Sequence, residues 1–435
     1  MANDKTFKVK NALEIGGSVK TSLGTITGSN IDLSTGNYFK DSPNVATYTI
    51  SNPSPAQTFN LELTATAADV ANKFSTTLYT GTGSSNTVTT GIDLSGSNEG
   101  LVWIKKRGTG STYNHNLFDT VRGATKWLVS DDTDAEGTRS TGLSAFNSNG
   151  FTEGGSGWTG ESGKNFVAWT WKSAPSFFDV VTWTGNGTAR AISHNLGSVP
   201  GMVLYKNLSS AYGWQVYHRG MAVNRRLELN EMGSASSSVG YWDQTTPVTS
   251  SVLNIGADAH VNNNGNNYVA YVFGHETGSD SMIQCGSFTG NGSASGPSIN
   301  LGWSPQWLMI RNEERSSYWR IIDTARDFSS TATRDGLFAN SNANEDTTSP
   351  LIIARTSTGF DIKDNSSQIN HSGENIIYVA IREATDVALT WPGTVKWPAG
   401  ITPTAPAIGE TDLYTFTTDD SGSSYYGYLS GDNLS

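Results

Sequence analysis

Two short stretches hold the pairing that a poised carboxylate would need: Asp119-Thr120-Val121-Arg122 and Asp323-Thr324-Ala325-Arg326. An arginine three residues after an aspartate can keep that carboxylate ionised for acid–base or nucleophilic work. The same pair can also fix a strand end. The matching place between them reads Tyr217-His218-Arg219, with no carboxylate, and this favours the structural use. The segment Asp131-Asp132-Thr133-Asp134-Ala135-Glu136-Gly137 has the acidic spacing that opens a calcium loop. An EF-hand needs a bidentate Glu at position twelve, and counting from Asp132 that position is Leu143, so a solvated acidic turn is expected. The six histidines (His115, His194, His218, His260, His275 and His371) stand singly, without zinc spacing. His194 reads as a structural hydrogen-bonding residue, and the single cysteine, Cys285, as a small buried hydrophobe.

Aromatic residues offer a different chemistry. A ring can stack on the apolar face of a sugar while amides and hydroxyls bond its hydroxyl groups. Trp158, Trp214, Tyr241, Trp242 and Trp319 lie among or near Gly, Ser and Asn, which makes them the candidate glycan contacts. The chain has no P-loop, HExxH, G-x-S-x-G or paired CxxC pattern. The expectation is therefore a protein without catalytic, metal or cofactor residues.

The elements that would carry these residues read as strands. Of 435 residues only 15% are charged, while 13 Trp, 16 Tyr, 16 Phe and 47 Gly are present. That balance suits many short strands and polar turns, not a helical bundle or a disordered tail. A net charge of −11 argues against a nucleic-acid partner, which needs a basic face. No apolar run approaches the roughly 20 residues of a membrane span, so no membrane insertion is expected.

Three stretches share four markers in the same order. Each opens on Tyr79-Thr80-Gly81-Thr82-Gly83, Trp183-Thr184-Gly185-Asn186-Gly187 or Phe288-Thr289-Gly290-Asn291-Gly292. Then come Asp93-Leu94-Ser95, Asn195-Leu196-Gly197 and Asn300-Leu301-Gly302. The apolar runs 101–105 (LVWIK), 202–206 (MVLYK) and 307–311 (WLMIR) follow. Each stretch ends on a turn and a strand-like run, at 166–171, 268–273 and 376–381. The period of about 105 residues exceeds a solenoid unit and fits a small domain. The sequence predicts three tandem antiparallel β-sandwiches, at 69–176, 177–279 and 280–385. The flanks 1–68 and 386–435 are each short for a core of their own. They are expected to fold together as a discontinuous β anchor domain into which the three sandwiches are inserted.

The flanks resemble a module of structural proteins from marine tailed bacteriophages, cyanophages in particular. The resemblance rests on 33–39 (LSTGNYF), on Ser51-Asn52-Pro53 with 59–64 (FNLELT), and on the ending 391–433. The opening 5–11 (KTFKVKN) is similar to the start of cyanophage tail-fibre-like proteins. Residues 184–206 resemble a second marine-phage module; the third copy lacks its histidine, with Ile299-Asn300 there, and the first departs further. The resemblance implies a virion structural protein, foremost a tail fibre or tail appendage. It would join other virion proteins through its N-terminal region, with the first 25 or so residues as an extended attachment segment. It would form a homo-oligomer, a trimer, and present β-sandwiches for contact with a host-surface glycan. A capsid decoration, collar or horn protein is the alternative, and a polysaccharide depolymerase with two facing carboxylates a further one. Residues 1–10 are polar, without the apolar stretch of a cleaved export signal. The chain is expected to be made in the host cytoplasm and to work in the virion.

Overall fold

A strand that is apolar without alternation needs apolar partners on both faces. The runs at 101–105, 202–206 and 307–311 have that pattern, and a computed structural model shows how both faces are met. The residues it describes are 70–346 and 352–384, apart from 109, 111, 279, 280 and 331–335. In the flanks it describes 8, 9, 13, 14, 26, 27, 30–34, 36–41, 49–51, 53, 54, 57–64, 394–400, 403, 411–420 and 422–431. The fold is nearly all β, with several sandwich-like pairs of sheets. The chain divides into two compact units, 69–384 and the two flanks together.

In the larger unit one strand order recurs in three successive segments. Each has an opening strand (Phe74–Thr80, Phe178–Thr184, Ile283–Thr289) and an inner strand (Gly100–Lys106, Met202–Asn207, Pro305–Asn312). Each also has an outer strand (Asn116–Asp119, Gln215–His218, Arg320–Asp323) and a closing strand (Asn165–Lys172, Asn267–Phe273, Asn375–Arg382). The order across each antiparallel sheet is opening, closing, inner, outer. A smaller sheet covers one face: Asn86–Thr89 with Leu143–Asn147 and Gly150–Glu153 in the first segment, Arg190–Ser193 with Val252–Ile255 in the second, and Ser298–Asn300 with Ile353–Thr356 and Gly359–Ile362 in the third.

Alternation along the inner strand now has a meaning. Val102 and Ile104, Val203 and Tyr205, and Leu308 and Ile310 fill the cores between the two sheets of their own segments. The intervening Trp103, Met202, Leu204, Trp307 and Met309 face the other way and are also buried. There the segments meet. Trp171 of the first segment packs on Phe178 and Phe273 of the second, at 6.1 Å between ring centroids in both cases, and on Trp307 of the third at 5.6 Å. The three segments therefore share a central aromatic core in addition to their own cores, and 69–384 is one body built around it.

The recurring T-G-x-G turn follows from close packing. A Cβ on Gly81, Gly185 or Gly290 would stand 2.1–2.4 Å from a backbone carbonyl oxygen of the turn before the closing strand. The second glycine, Gly83, Gly187 or Gly292, has φ between 68° and 75°, the left-handed region that glycine enters freely. In the second and third segments a buried asparagine completes the turn: the Asn262 and Asn370 side-chain oxygens accept from the backbone N–H of Asn186 and Asn291.

The smaller unit is described by itself. Its five-stranded sheet runs Val395–Lys396, Tyr425–Gly431, Thr411–Thr418, Gln57–Thr64, Tyr38–Asp41. Gln57–Thr64 and Thr411–Thr418, one from each flank, pair antiparallel along their full length. Phe39, Phe59, Leu61, Tyr414, Phe416 and Tyr425 fill its core, with Phe59 stacked on Phe416 at 5.0 Å. Of the expected N-terminal attachment segment only Lys8–Val9 and Leu13–Glu14 are described. Residues 386–393, including Trp391-Pro392, lie outside the described residues.

Candidate functional site

The paired aspartate and arginine motifs occupy the same place in two segments, the end of the outer strand, and both are buried. Neither opens on a cleft. Asp119 pairs with Arg122, and the Tyr271 hydroxyl of the second segment donates to Asp119 at 2.8 Å while accepting from Arg122 at 3.1 Å. Asp323 pairs with Arg326 at 2.7 Å and accepts the indole N–H of Trp169 in the first segment at 2.9 Å. Each arginine has a second carboxylate, Glu136 at 3.2 Å and Glu345 at 2.9 Å. Trp169 and Tyr271 hold equivalent positions on their closing strands. The two motifs are one device used twice, joining the first segment to the second and the third to the first.

The remaining junction lacks the device as a set. Where Asp, Arg and Glu stand elsewhere, the second segment has His218, Met221 and Ala235. The place of Trp169 and Tyr271 is taken in the third segment by Val379, which offers an aspartate nothing to accept. His218 Nε2 instead lies 3.0 Å from the Tyr378 carbonyl oxygen, and its Nδ1 accepts from Gly220 N–H at 3.0 Å. Burial pushes the His218 pKa down to about 4, so the ring is neutral and Nε2 carries the proton that the carbonyl accepts. The contacts thus run from the first segment to the second, the second to the third and the third to the first, closing a ring with approximate threefold symmetry.

Buried cations tighten the same ring. Lys105, Lys206 and Arg311 are the next-to-last residues of the three inner strands and are fully buried. Each donates to main-chain oxygens of the preceding segment in the ring: Lys105 to Asn342 at 3.2 Å, Lys206 to Thr133 at 3.2 Å, and Arg311 to Glu231 at 2.7 Å. Their desolvation lowers the pKa of all three, Lys105 and Lys206 to about 8. The acidic turn 131–137 is therefore not a freely solvated loop. Its Thr133 carbonyl holds Lys206, Glu136 pairs with Arg122, and Glu136 N–H donates to Leu208 of the second segment. Burial raises the Asp131 pKa to about 6. Among the described residues no three His, Cys, Asp or Glu side chains gather as a metal site would require.

The five candidate glycan contacts separate on burial. Trp214 and Trp319 are fully buried, and their indole N–H groups donate to Val129 and Glu228 carbonyls of the neighbouring segments. Trp242 is 4% exposed and stacked on Tyr205; Tyr241 is 9% exposed beneath Arg226. A sugar needs an open ring face, so these four are corrected from platform to core. The Gly, Ser and Asn beside them belong to turns at strand ends, and the rings themselves point inward. Trp242 does border a cleft of about 180 Å³ shared with Tyr217, His218 and Asp243, but with little of its ring open.

Trp158 differs. It is half-buried and belongs to an aromatic group with Tyr113 and Trp127, both also half-buried. The ring centroids lie 5.7 Å and 5.6 Å from Trp158, with interplanar angles of 59° and 58°. Arg139 sits in the angle between the two tryptophans, its guanidinium carbon 4.1 Å from the Trp127 centroid and 3.9 Å from that of Trp158. Two glycines let the rings lie so close to the backbone. A Cβ on Gly137 would stand 2.1 Å from Trp127 Nε1, and one on Gly157 would stand 2.9 Å from the Tyr113 hydroxyl. Lys106, paired with Glu161, sits over Tyr113 at 4.4 Å. Of the five candidate residues, Trp158 is therefore the one that is not buried.

Residues 69–385 match a family model described as a domain of unknown function, DUF7483. The chain belongs to the DUF7483 family. No curated protein matches it. The DUF7483 match spans the compact unit 69–384, so the family's unit is the whole ring of three segments and not a single sandwich. Within this DUF7483 unit the remaining candidates are structural. Cys285 is buried, its thiol pKa pushed up by burial, and lies against the Gly274 carbonyl. His194 accepts from Leu196 N–H at 3.2 Å and lies 3.1 Å from the Thr249 carbonyl oxygen. Sequence reading missed Tyr113, Trp127 and Arg139. The signal available was Trp127 opposite Gly137 on the paired strands Lys126–Trp127 and Gly137–Thr138, with Arg139 directly after the second strand.

Proposed function

We propose that this chain is a structural protein of a tailed-phage virion, a tail fibre or tail appendage that touches the host surface with its DUF7483 unit. The observation that carries the reading is the pairing of Gln57–Thr64 with Thr411–Thr418, which joins the two flanks that resemble marine-phage modules into one anchor around an inserted β body. That body suits an exposed particle component. It is closed by buried ion pairs and hydrogen bonds between segments, and it needs no disulfide, since Cys285 is the only cysteine. The half-buried ring of Trp158 and its neighbours supply a face for a surface glycan. The reading assigns the chain no catalytic step. The ring of sandwiches is completed within one chain, so a homotrimer would be assembled through other surfaces.

The test is location in the particle. Purified virions encoding this chain are reconstructed, and the chain is sought by mass spectrometry and labelled antibody. Density at the tail supports the reading. Density on the head or neck replaces it with a decoration, collar or horn protein. Absence of the chain from intact particles overturns it.

A further inference from the structure

Several arginines of this acidic chain are answered by carboxylates, and Arg190 and Arg311 by main-chain oxygens. Arg107, Arg122, Arg226, Arg315, Arg326 and Arg355 each pair with an Asp or Glu. The Arg139 side chain has no such partner and makes no hydrogen bond with the described residues, and its Nη1 is covered without a partner. Its cation is held only by the faces of Trp127 and Trp158. Desolvation lowers its pKa, and no neighbouring acid compensates. A guanidinium is a planar fork of five N–H donors whose natural complement is a carboxylate or another oxyanion. Flanking indoles hold such a fork in one orientation and leave it electrostatically unsatisfied.

The equivalent places in the other segments do not repeat this. Trp127 corresponds to Arg226 in the second segment, which pairs with Glu228 at 2.7 Å, and to Gly336 in the third. Arg139 corresponds to Ser238 in the second segment. The fold therefore does not require the group. The two glycines that admit the rings, and the absence of an acid opposite Arg139, make the first segment's group a specific construction.

We propose that the notch formed by Trp127, Arg139 and Trp158, with Tyr113 beside it, binds an anionic sugar. The acid group of the sugar is held on the Arg139 guanidinium, which covers one face of each tryptophan, and the sugar ring lies against the exposed parts of Trp158 and Tyr113. The inference deepens the host-surface reading by naming the ligand class, an acidic polysaccharide or glycan. Carboxylated and sulfated sugars share the chemistry that Arg139 recognises, and a neutral sugar lacks it.

The experiment uses the full chain. Calorimetric titrations compare tri-galacturonate, a sulfated trisaccharide and neutral galactotriose, at low and moderate salt. The expected result is binding of at least one anionic probe, at least tenfold tighter than the neutral one and weakened by salt. Which anionic probe binds identifies the acid group. Arg139→Ala is expected to weaken binding at least tenfold, Arg139→Lys less, and Trp158→Ala to remove it. Circular dichroism and the thermal midpoint confirm that each variant is folded. Equal affinity for the neutral sugar, binding unaffected by Arg139→Ala, or silence toward both anionic probes overturns the proposal. Failure here leaves a tail location untouched, and absence of the chain from particles leaves a positive titration standing, so the two readings fail separately.

Discussion

Tyr271→Phe isolates the joint between the first and second segments. The substitution keeps the ring and its packing on Trp214 and Phe178, and removes one hydroxyl. That hydroxyl donates to Asp119 and accepts from Arg122, both buried and charged. Hydrogen bonds to charged groups contribute about 1.5–3 kcal/mol each, and a hydroxyl shared by an already paired aspartate and arginine should fall near the middle of that range. The expected loss is about 2 kcal/mol. With an unfolding entropy of roughly 2.1 cal/mol/K per residue, a unit of this size should lose about 3 °C from its midpoint. The sharper assay is a double-mutant cycle with Asp119→Asn, read by urea unfolding. Residues in one buried network should show a coupling of about 1–2 kcal/mol. Tyr268→Phe is the control. Tyr268 lies on the same closing strand but faces the second segment's own core, and its hydroxyl bonds Asn207, Ala259 and Asn263 within that segment. It should add to Asp119→Asn within about 0.5 kcal/mol. Additivity of Tyr271→Phe with Asp119→Asn would refute the closed ring. So would two resolved unfolding transitions of which only one moves.

The third junction should show itself in pH dependence. His218 is neutral in the folded chain with a pKa near 4, against about 6.5 unfolded, so its contribution is full above pH 6.5 and is lost as pH falls toward 4. The whole shift is worth up to about 3 kcal/mol, and His218→Gln should flatten the stability slope across that window by up to one proton. Buried His115 and His194, whose pKa values are also lowered, slope in the same direction, whereas Asp131, raised to about 6, slopes oppositely between about pH 4 and 6. Unfolding measured at pH 4.5, 5.5 and 7.5 reads the difference, and an unchanged slope would remove His218 from the account. In the T-G-N-G turn, Gly185→Ala places a Cβ 2.1 Å from the Asn263 carbonyl oxygen and should cost about 2–3 kcal/mol. Gly187→Ala meets nothing closer than 3.7 Å and should cost only the left-handed backbone penalty of about 1–2 kcal/mol. The same unfolding assay ranks the two, and the reverse order would contradict the close-packing explanation.

How far the fold could be read in advance depended on which face of a strand was in question. Marker order and strand-like runs pointed to an all-β chain, and burial on both faces explains why 101–105, 202–206 and 307–311 do not alternate. Periodicity cannot say what lies on the second face. A sandwich core and a core shared by three segments look alike in sequence, so Trp103, Leu204 and Trp307 gave no hint that the segments close around a centre. The same blindness misplaced Trp214 and Trp319. Their polar neighbours suggested open loops, but the partners that bury them come from residues some 90 positions away. The Asp-x-x-Arg motifs were legible as a matched pair and as a structural pair. Their partners Tyr271 and Trp169 were not, because a donor on another segment leaves no local trace.

Threefold repetition also separates architecture from recognition. Each contact has two internal counterparts, and a departure in one copy can be asked for its compensation. The loss of Asp, Arg and Glu at the second junction is answered by Val379, which removes the donor that the aspartate would serve, and by the Tyr378 carbonyl, which His218 reaches instead. That departure is complete within the fold. The group around Arg139 has no such answer: Ser238 stands at its place in the second segment and carries no charge, whereas Arg139 has only ring faces and an uncompensated charge. Stripping a buried cation such as Arg326 of its carboxylates would cost about 3–5 kcal/mol. Arg139 is tolerable without any because it is only part-buried and two rings of about 0.5–1 kcal/mol each support it. A cation that the fold neither pairs nor fully hides is available to a ligand, and the acid group missing from the chain is the one that an anionic sugar would bring.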